Sequence, residues 1–298
     1  CCNFRERPMK IYSTRKLYAA GILPKPSSTE DVVQLAERLR ALRLGFAADH
    51  LTELVTQSVK AAWSSTRFLD ELIRLELERQ EERRIKQALR ISHIPSGPTI
   101  SNFDFAYQPS VSRNQIETLS TCQWIHDCQC VLLQGPPGVG KTHLAIALAT
   151  RALENGFSVS YYNVDEWMHQ LKQDGAVHPM QLKHRKYMAS NLLVLDEFGY
   201  QSMSREEANL FFRVVSYRYQ KGSTIITTNK GIGSWPGVLA GDEVLAGAIL
   251  DRLLHSATVL NIQGRSYRLK DLESSLANQS QAADKSRGIP LEESRASC

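Results

Sequence analysis

The sequence predicts an α/β fold: a parallel five-stranded sheet flanked by helices, preceded by a small all-helical N-terminal domain. Three observations carry that expectation. Five short apolar runs alternate with longer runs of helical spacing between residues 113 and 272. Within 29–94 the apolar residues recur only at helical spacing. Between the two regions stands Pro95-Ser96-Gly97-Pro98, a cluster that interrupts regular structure.

Residues 1–28 have no clear period and end in Pro24-Lys25-Pro26-Ser27-Ser28, which reads as a flexible lead-in. Thr29 can cap a helix with Glu30 and Asp31 in its first turn. Val32, Leu35, Leu39 and Leu42 then recur at helical spacing, and Gly45 ends the run. A second helix over 47–60 gathers Leu51, Leu54 and Val55 on one face. A third over 66–91 carries Phe68, Leu69, Leu72, Ile73, Leu75 and Leu77 and ends in a basic cluster, Arg83, Arg84, Lys86 and Arg90. In the linker 95–112, Phe103-Asp104-Phe105 reads as an anchor that docks the linker onto the next domain.

The α/β domain spans 113–272, and a helix over 113–127 leads into a buried strand at Val131-Leu132-Leu133. Further strands are expected at 158–162, 191–195, 223–227 and 257–262. Helices are expected at 141–155, 164–173, 178–188, 204–220 and 242–254. Fewer than forty residues come after the last strand, too few for a four-helix C-terminal lid. The polar tail 273–298, rich in Ser and Ala, is expected to be disordered.

Hydrophobic content of 42% and charged content of 22% over 298 residues are those of an ordinary globular protein. No apolar stretch approaches the roughly 18 residues of a membrane span. Arg5, Glu6, Arg7 and Lys10 interrupt the start before a secretory signal could form, so a cytoplasmic location and no membrane partner are expected. Cys122, His126, Cys128 and Cys130 invite a zinc reading, but lack paired C-x₂-C spacing, and reduced thiols are the better expectation. The net charge of +5 is unevenly spread, with an excess of Arg and Lys in residues 1–100. Such a bias suits an anionic partner or a solvated helical face.

The octet Gly135-Pro136-Pro137-Gly138-Val139-Gly140-Lys141-Thr142 lies between a buried strand and an Ala-rich helix. That placement makes a phosphate cradle, because unpaired backbone N–H groups and the helix dipole both favour an anion there. Lys141 would reach the β/γ-phosphates and Thr142 would ligate Mg²⁺. About fifty residues on, Leu192-Leu193-Val194-Leu195-Asp196-Glu197 is an apolar run tipped by two acids. Asp196 would hold Mg²⁺ through water, and Glu197 would activate the attacking water as general base. Asn229, after Thr227-Thr228, could bond both the γ-phosphate and that water.

With the octet and Asp196-Glu197-Phe198-Gly199, four more blocks keep a known order and spacing. They are Tyr217-Arg218-Tyr219, Thr227-Thr228-Asn229, Ala248-Ile249-Leu250-Asp251-Arg252-Leu253-Leu254 and Gly264-Arg265-Ser266-Tyr267-Arg268-Leu269-Lys270. Over about 30–270 the chain resembles the IstB/DnaC branch of AAA+ P-loop ATPases. Within it the likeness is greater to IstB, the helper ATPase of a bacterial insertion-sequence transposition system. The resemblance implies ATP hydrolysis with ATP and Mg²⁺, an ATP-dependent homo-oligomer, duplex DNA and a transposase as partners. A DnaC-like replicative helicase loader is the alternative. It further implies that Arg252 is an arginine finger reaching ATP on a neighbouring subunit, and that Arg268 lies near a second sensor arginine. The alternative for Arg252 is a surface ion pair with Asp251 or Glu243. His143 and Arg268 complete the expected nucleotide-contacting set with residues 135–142. DNA contacts are expected from Arg83, Arg84, Lys86 and Arg90 or from Lys183, His184, Arg185 and Lys186, unless these are only solvated faces. Neither run carries a base-reading motif, so low sequence specificity and strong salt dependence are expected.

Overall fold

A computed structural model of the chain describes residues 31–175 and 183–269, which group into a helical unit ending at Arg84 and a second unit from Ile85 onward. The lead-in 1–28 and the tail 273–298 lie outside the described residues. In the first unit, α1 (Asp31–Ala41), α2 (Gly45–Lys60) and the first part of α3 (Ser65–Ser92) bury Ala47, Ala48, Leu51, Leu54 and Leu72. Gly45 does not end the first helix as expected. Arg43 makes the turn with φ +64°, and Gly45 opens α2. No side chain caps α2 at Leu44; the nearly buried Glu76 of α3 (3% exposed) accepts from Ala47 N at 2.9 Å instead. A carboxylate at a helix N-terminus satisfies an orphan donor and meets the positive end of the dipole, which offsets its burial.

In the second unit five parallel strands run in the order β2-β3-β4-β1-β5: β1 (Cys130–Gln134), β2 (Val159–Asn163), β3 (Leu192–Phe198), β4 (Ser223–Thr228) and β5 (Ala257–Asn261). Strand side chains alternate, so β1, β3 and β4 each feed two cores. Val131, Leu133, Leu192, Val194 and Ile225 join one cluster, with Leu144, Ile146 and Leu148 of a long helix over Lys141–Glu154. Leu132, Leu193, Leu195 and Ile226 join the other, with Trp167, Phe211 and Ile249 from helices on the opposite face. Numbered along this unit the helices are α4 (Arg113–Ser120), α5 (Gln123–His126), α6 (Lys141–Glu154), α7 (Val164–Gly175), α8 (Lys186–Ala189), α9 (Arg205–Arg218), α10 (Trp235–Val238) and α11 (Glu243–Leu254).

The helix expected over 113–127 is two helices, because Cys122 adopts φ +60°. That turn lets Trp124 tuck inward and donate Nε1–H to Leu119 O at 2.8 Å. The helix expected over 178–188 falls partly outside the described residues; of the rest only Lys186–Ala189 is helical. After β5 the described residues contain one 3₁₀ turn, Tyr267–Leu269, and no lid helix. No helix of the described residues is long and apolar enough to cross a membrane.

One buried cation holds the sheet's entry side. Arg218, 3% exposed at the end of α9, donates Nη1 to the carbonyls of Tyr187, Met188 and Ser190 and Nη2 to those of Asn191 and Ser223. Burial pushes its guanidinium down to about 10, still charged at neutral pH. A Cβ at Gly222 would sit 2.8 Å from Nη2, so the β4 turn is fitted around this side chain. Arg218→Met would strand several carbonyls, and we expect a loss of roughly 2–4 kcal/mol in urea unfolding. An unchanged midpoint would contradict the assignment.

Candidate nucleotide-binding site

A cleft of about 350 Å³ opens at the C-terminal ends of the strands, lined by residues 137–143, Glu197, Thr227, Thr228 and Asn229. The loop between β1 and α6 forms its floor. No side chain caps α6, so its first-turn N–H groups are left to the loop and the cleft. Gly138 has φ +81°, and a Cβ there would meet Ser266 Oγ at 2.0 Å; at Gly140 (φ +96°) it would meet the Phe103 ring at 2.7 Å. Only glycine allows both the left-handed turn and this close covering. Lys141 folds back onto its own loop, with Nζ donating to Gly135 O at 2.8 Å and Pro136 O at 2.7 Å. Burial pulls its ammonium below the ordinary value; the acids Asp196 and Glu197 oppose that pull and Arg268 adds to it.

Opposite the loop lies the acid-tipped strand. Strand β3 is two places from β1, and β4 between them supplies the link. Asp196, 4% exposed, accepts from Thr142 Oγ1 at 2.9 Å, from Tyr161 Oη at 2.6 Å and from Thr227 Oγ1. Regular strand geometry would send Asp196 and Glu197 to opposite faces. A bulge between Leu195 and Phe198, with Glu197 at φ +63°, removes that restriction. Glu197 N donates to Thr227 Oγ1 at 2.9 Å, and its Oε2 accepts from Asn163 Nδ2 at 2.7 Å. The Thr142 hydroxyl and Asp196 carboxylate form an all-oxygen pair beside the loop, which fits a hard divalent cation such as Mg²⁺.

The other predicted residues divide. Asn229 leads from β4 into the cleft, and His143 also lines it, with Nε2 2.9 Å from Thr99 O and its ring edge-on to Phe103. Arg268 reaches the cleft from the 3₁₀ turn. Arg252 does not line it. Its Nη1 donates to Ala248 O at 2.7 Å and its guanidinium lies over the Phe212 ring, with no ion pair to Asp251 or Glu243 among the described residues. It borders Cys128, Cys130 and Ser256, at the ends of β1 and β5 where those strands begin. In the basic run before β3, Arg185 pairs with Asp174 at 2.6 Å and Lys186 donates to Ile91 O at 3.1 Å. Cys122, Cys128 and Cys130 are free thiols, the first buried against Asn155.

Sequence reasoning missed the cleft's covering wall. Asn102, Phe103, Asp104 and Gln108 line one side and Tyr267 another. The two segments are stitched together: Tyr107 Oη donates to Ser266 O, Gln108 Nε2 to Arg265 O and Ser110 Oγ to Gln263 O, at 3.2, 2.7 and 2.7 Å. Tyr267 N donates to Gly138 O at 2.8 Å. The Phe103 anchor was readable; its seat on the phosphate loop was not. Tyr161 and Asn163 were missed as well, though their i, i+2 spacing near a strand's end puts both on one face.

A parallel α/β sheet with this loop after β1 and an acid pair at the end of β3 defines a nucleotide-binding protein of the AAA+ P-loop fold. The chain belongs to the IstB-like ATP binding protein family, whose sequence pattern matches residues 37–275. It is 38% identical over 238 residues to an ATP-binding protein of insertion sequence IS21 from Pseudomonas aeruginosa, covering 80% of this chain and 89% of that one. It is 33% identical to the ATP-binding protein of insertion sequence IS5376 from Geobacillus stearothermophilus, over 80% and 94% of the two chains. Among solved structures it is similar to a DnaC helicase loader at 23% identity and a TM-score of 0.46, over 55% of this chain and 96% of that one.

Gly138→Ala would force a strained backbone against Ser266. We expect the protein to stay folded and its ATP affinity to fall at least about tenfold in calorimetric titration. Wild-type affinity would show that the loop tolerates a side chain there.

Proposed function

We propose that the protein is an ATP-dependent, DNA-binding transposition helper that assembles on duplex DNA, hydrolyses ATP and cooperates with a transposase. The observation that carries the reading is the meeting of Lys141, Thr142, Asp196, Glu197 and Asn229 around one cleft. Its family and its insertion-sequence relatives supply the biological setting. On this reading Lys141 leaves its loop carbonyls for the β- and γ-phosphates. Thr142 and Asp196 hold Mg²⁺, which neutralises charge on the phosphates. Glu197, steadied by Asn163 through one oxygen, uses the other to orient and deprotonate the attacking water. Asn229 bonds the γ-phosphate and that water, and His143 and Arg268 contact the nucleotide from the cleft wall.

Arg252 supports assembly. It borders the end of the sheet where β1 and β5 begin, whereas its own cleft opens where the strands end, so it serves ATP held by another copy. A guanidinium suits this task because it stays charged and presents a fork to the γ-phosphate. ATP is then the bond between subunits, and many weak phosphate contacts add up along the oligomer. We assign DNA contacts to the exposed Arg83 of the first unit and Arg90 and Lys183 of the second, rather than to Arg185 and Lys186, which are engaged internally.

Glu197→Gln should keep ATP binding, slow hydrolysis by about 10²–10⁴-fold and accumulate the DNA-bound assembly. Hydrolysis at the wild-type rate would remove Glu197 from the base role. Lys141→Ala and Arg252→Ala should each abolish ATPase activity alone, and mixing them should restore a measurable part. No recovery across all mixing ratios would contradict action between copies.

A further inference from the structure

We propose that Tyr200 and Lys230 form a docking lip on the cleft that seats the outer face of α11 of a second copy, with Lys230 paired to Asp251 of the partner subunit. The inference rests on the reading that Arg252 serves ATP held by another copy, and it names the contact that brings the finger there.

The lip stands where two strands end. Tyr200 follows β3, shortly after Glu197, and Lys230 follows β4, directly after Asn229. The two are neighbours in space: a Cβ at Gly199 would sit 3.2 Å from Lys230 Cγ, so the lysine stem crosses the residue before Tyr200. Tyr200 lines the cleft yet is 73% exposed, and among the described residues its side chain makes no hydrogen bond or ring contact. Lys230 is exposed and has no ion pair among the same residues.

The matching surface is on α11. Ala246, Ile249 and Leu253 turn inward, and the helical repeat then puts Val244, Ala248 and Asp251 on the opposite side, with Arg252 at its edge. Val244 is 84% exposed, and Asp251 is exposed with no ion pair among the described residues. A finger that reaches the γ-phosphate passes beside Glu197 and Asn229, and therefore across the lip. Asp251, its neighbour in sequence, arrives where Lys230 stands. Ala248 and Val244, about one and two turns back along the helix, offer Tyr200 an apolar seat. The two surfaces complement each other in charge and in apolar character. They are also different surfaces of one chain, so the contact repeats from copy to copy.

The test is charge reversal in the full chain, read by sedimentation with ATP and MgCl₂ and by ATPase rate, with folding checked by circular dichroism. Lys230→Glu and Asp251→Lys should each reduce ATP-dependent assembly and hydrolysis at least about tenfold, because like charges then face each other. Both reversals in one chain should bring the two readouts back to within about threefold of wild type. An equal mixture of the two single variants should recover as well, since every contact in an alternating array is then matched. A role confined to one chain cannot give that recovery. Tyr200→Ala should weaken assembly about tenfold with the fold unchanged. Wild-type assembly by any of the three single variants, or no recovery in the mixture, would overturn the proposal. So would variants that assemble normally and lose only duplex DNA. Wild-type protein that stays monomeric with ATP and MgCl₂ would overturn the reading of Arg252 itself, and this inference with it.

Discussion

Three hydroxyls from three elements converge on the carboxylate of Asp196: Thr142 from the start of α6, Tyr161 from β2 and Thr227 from β4. A nearly buried charge is costly unless several donors meet it, and here each donor also fixes the element that carries it. Thr227 does double duty, giving its proton to Asp196 and taking the backbone N–H of Glu197. The phosphate loop, the acid-tipped strand and the strand between them are thereby held in one arrangement before any ligand arrives. Preorganisation of this kind is what the ATP hydrolysis proposed above would need.

Two departures from regular geometry adapt that frame. The β3 bulge frees adjacent acids from opposite faces of the sheet, and it requires a left-handed backbone at Glu197. The second departure is the roof. Among the described residues no lid helix comes after β5; the linker around Phe103 and the turn at Tyr267 are bonded to each other and laid over the glycine loop. Arg268 thus enters the cleft from a short turn. The glycines at 138 and 140 make this covering possible, since any side chain would hold the two layers apart.

The sheet and its loop were legible because buried parallel strands are short apolar runs, and those runs are separated by helices long enough to show a period. The octet and the acid pair were legible because their chemistry is carried by neighbours in sequence. What escaped notice depends on pairing between distant segments. That β2 lies beside β3 makes partners of Tyr161 and Asp196, and no local pattern records it. The break at Cys122 was hidden because a single positive φ at a non-glycine residue leaves no mark in hydrophobic spacing. In the basic run at 183–186 the charge is visible in sequence, but the pairing of Arg185 with Asp174 is not.

On the function proposed above, the cleft recognises a nucleotide by its terminal phosphates, held against the N-terminus of α6. Calorimetric competition in magnesium tests this most directly, because the loop has nothing to hold if those phosphates are missing. Saturable ATP binding at one site per chain is expected, displaced by ADP and not by AMP. Displacement by AMP as effective as by ADP would contradict it, and so would the absence of saturable ATP binding.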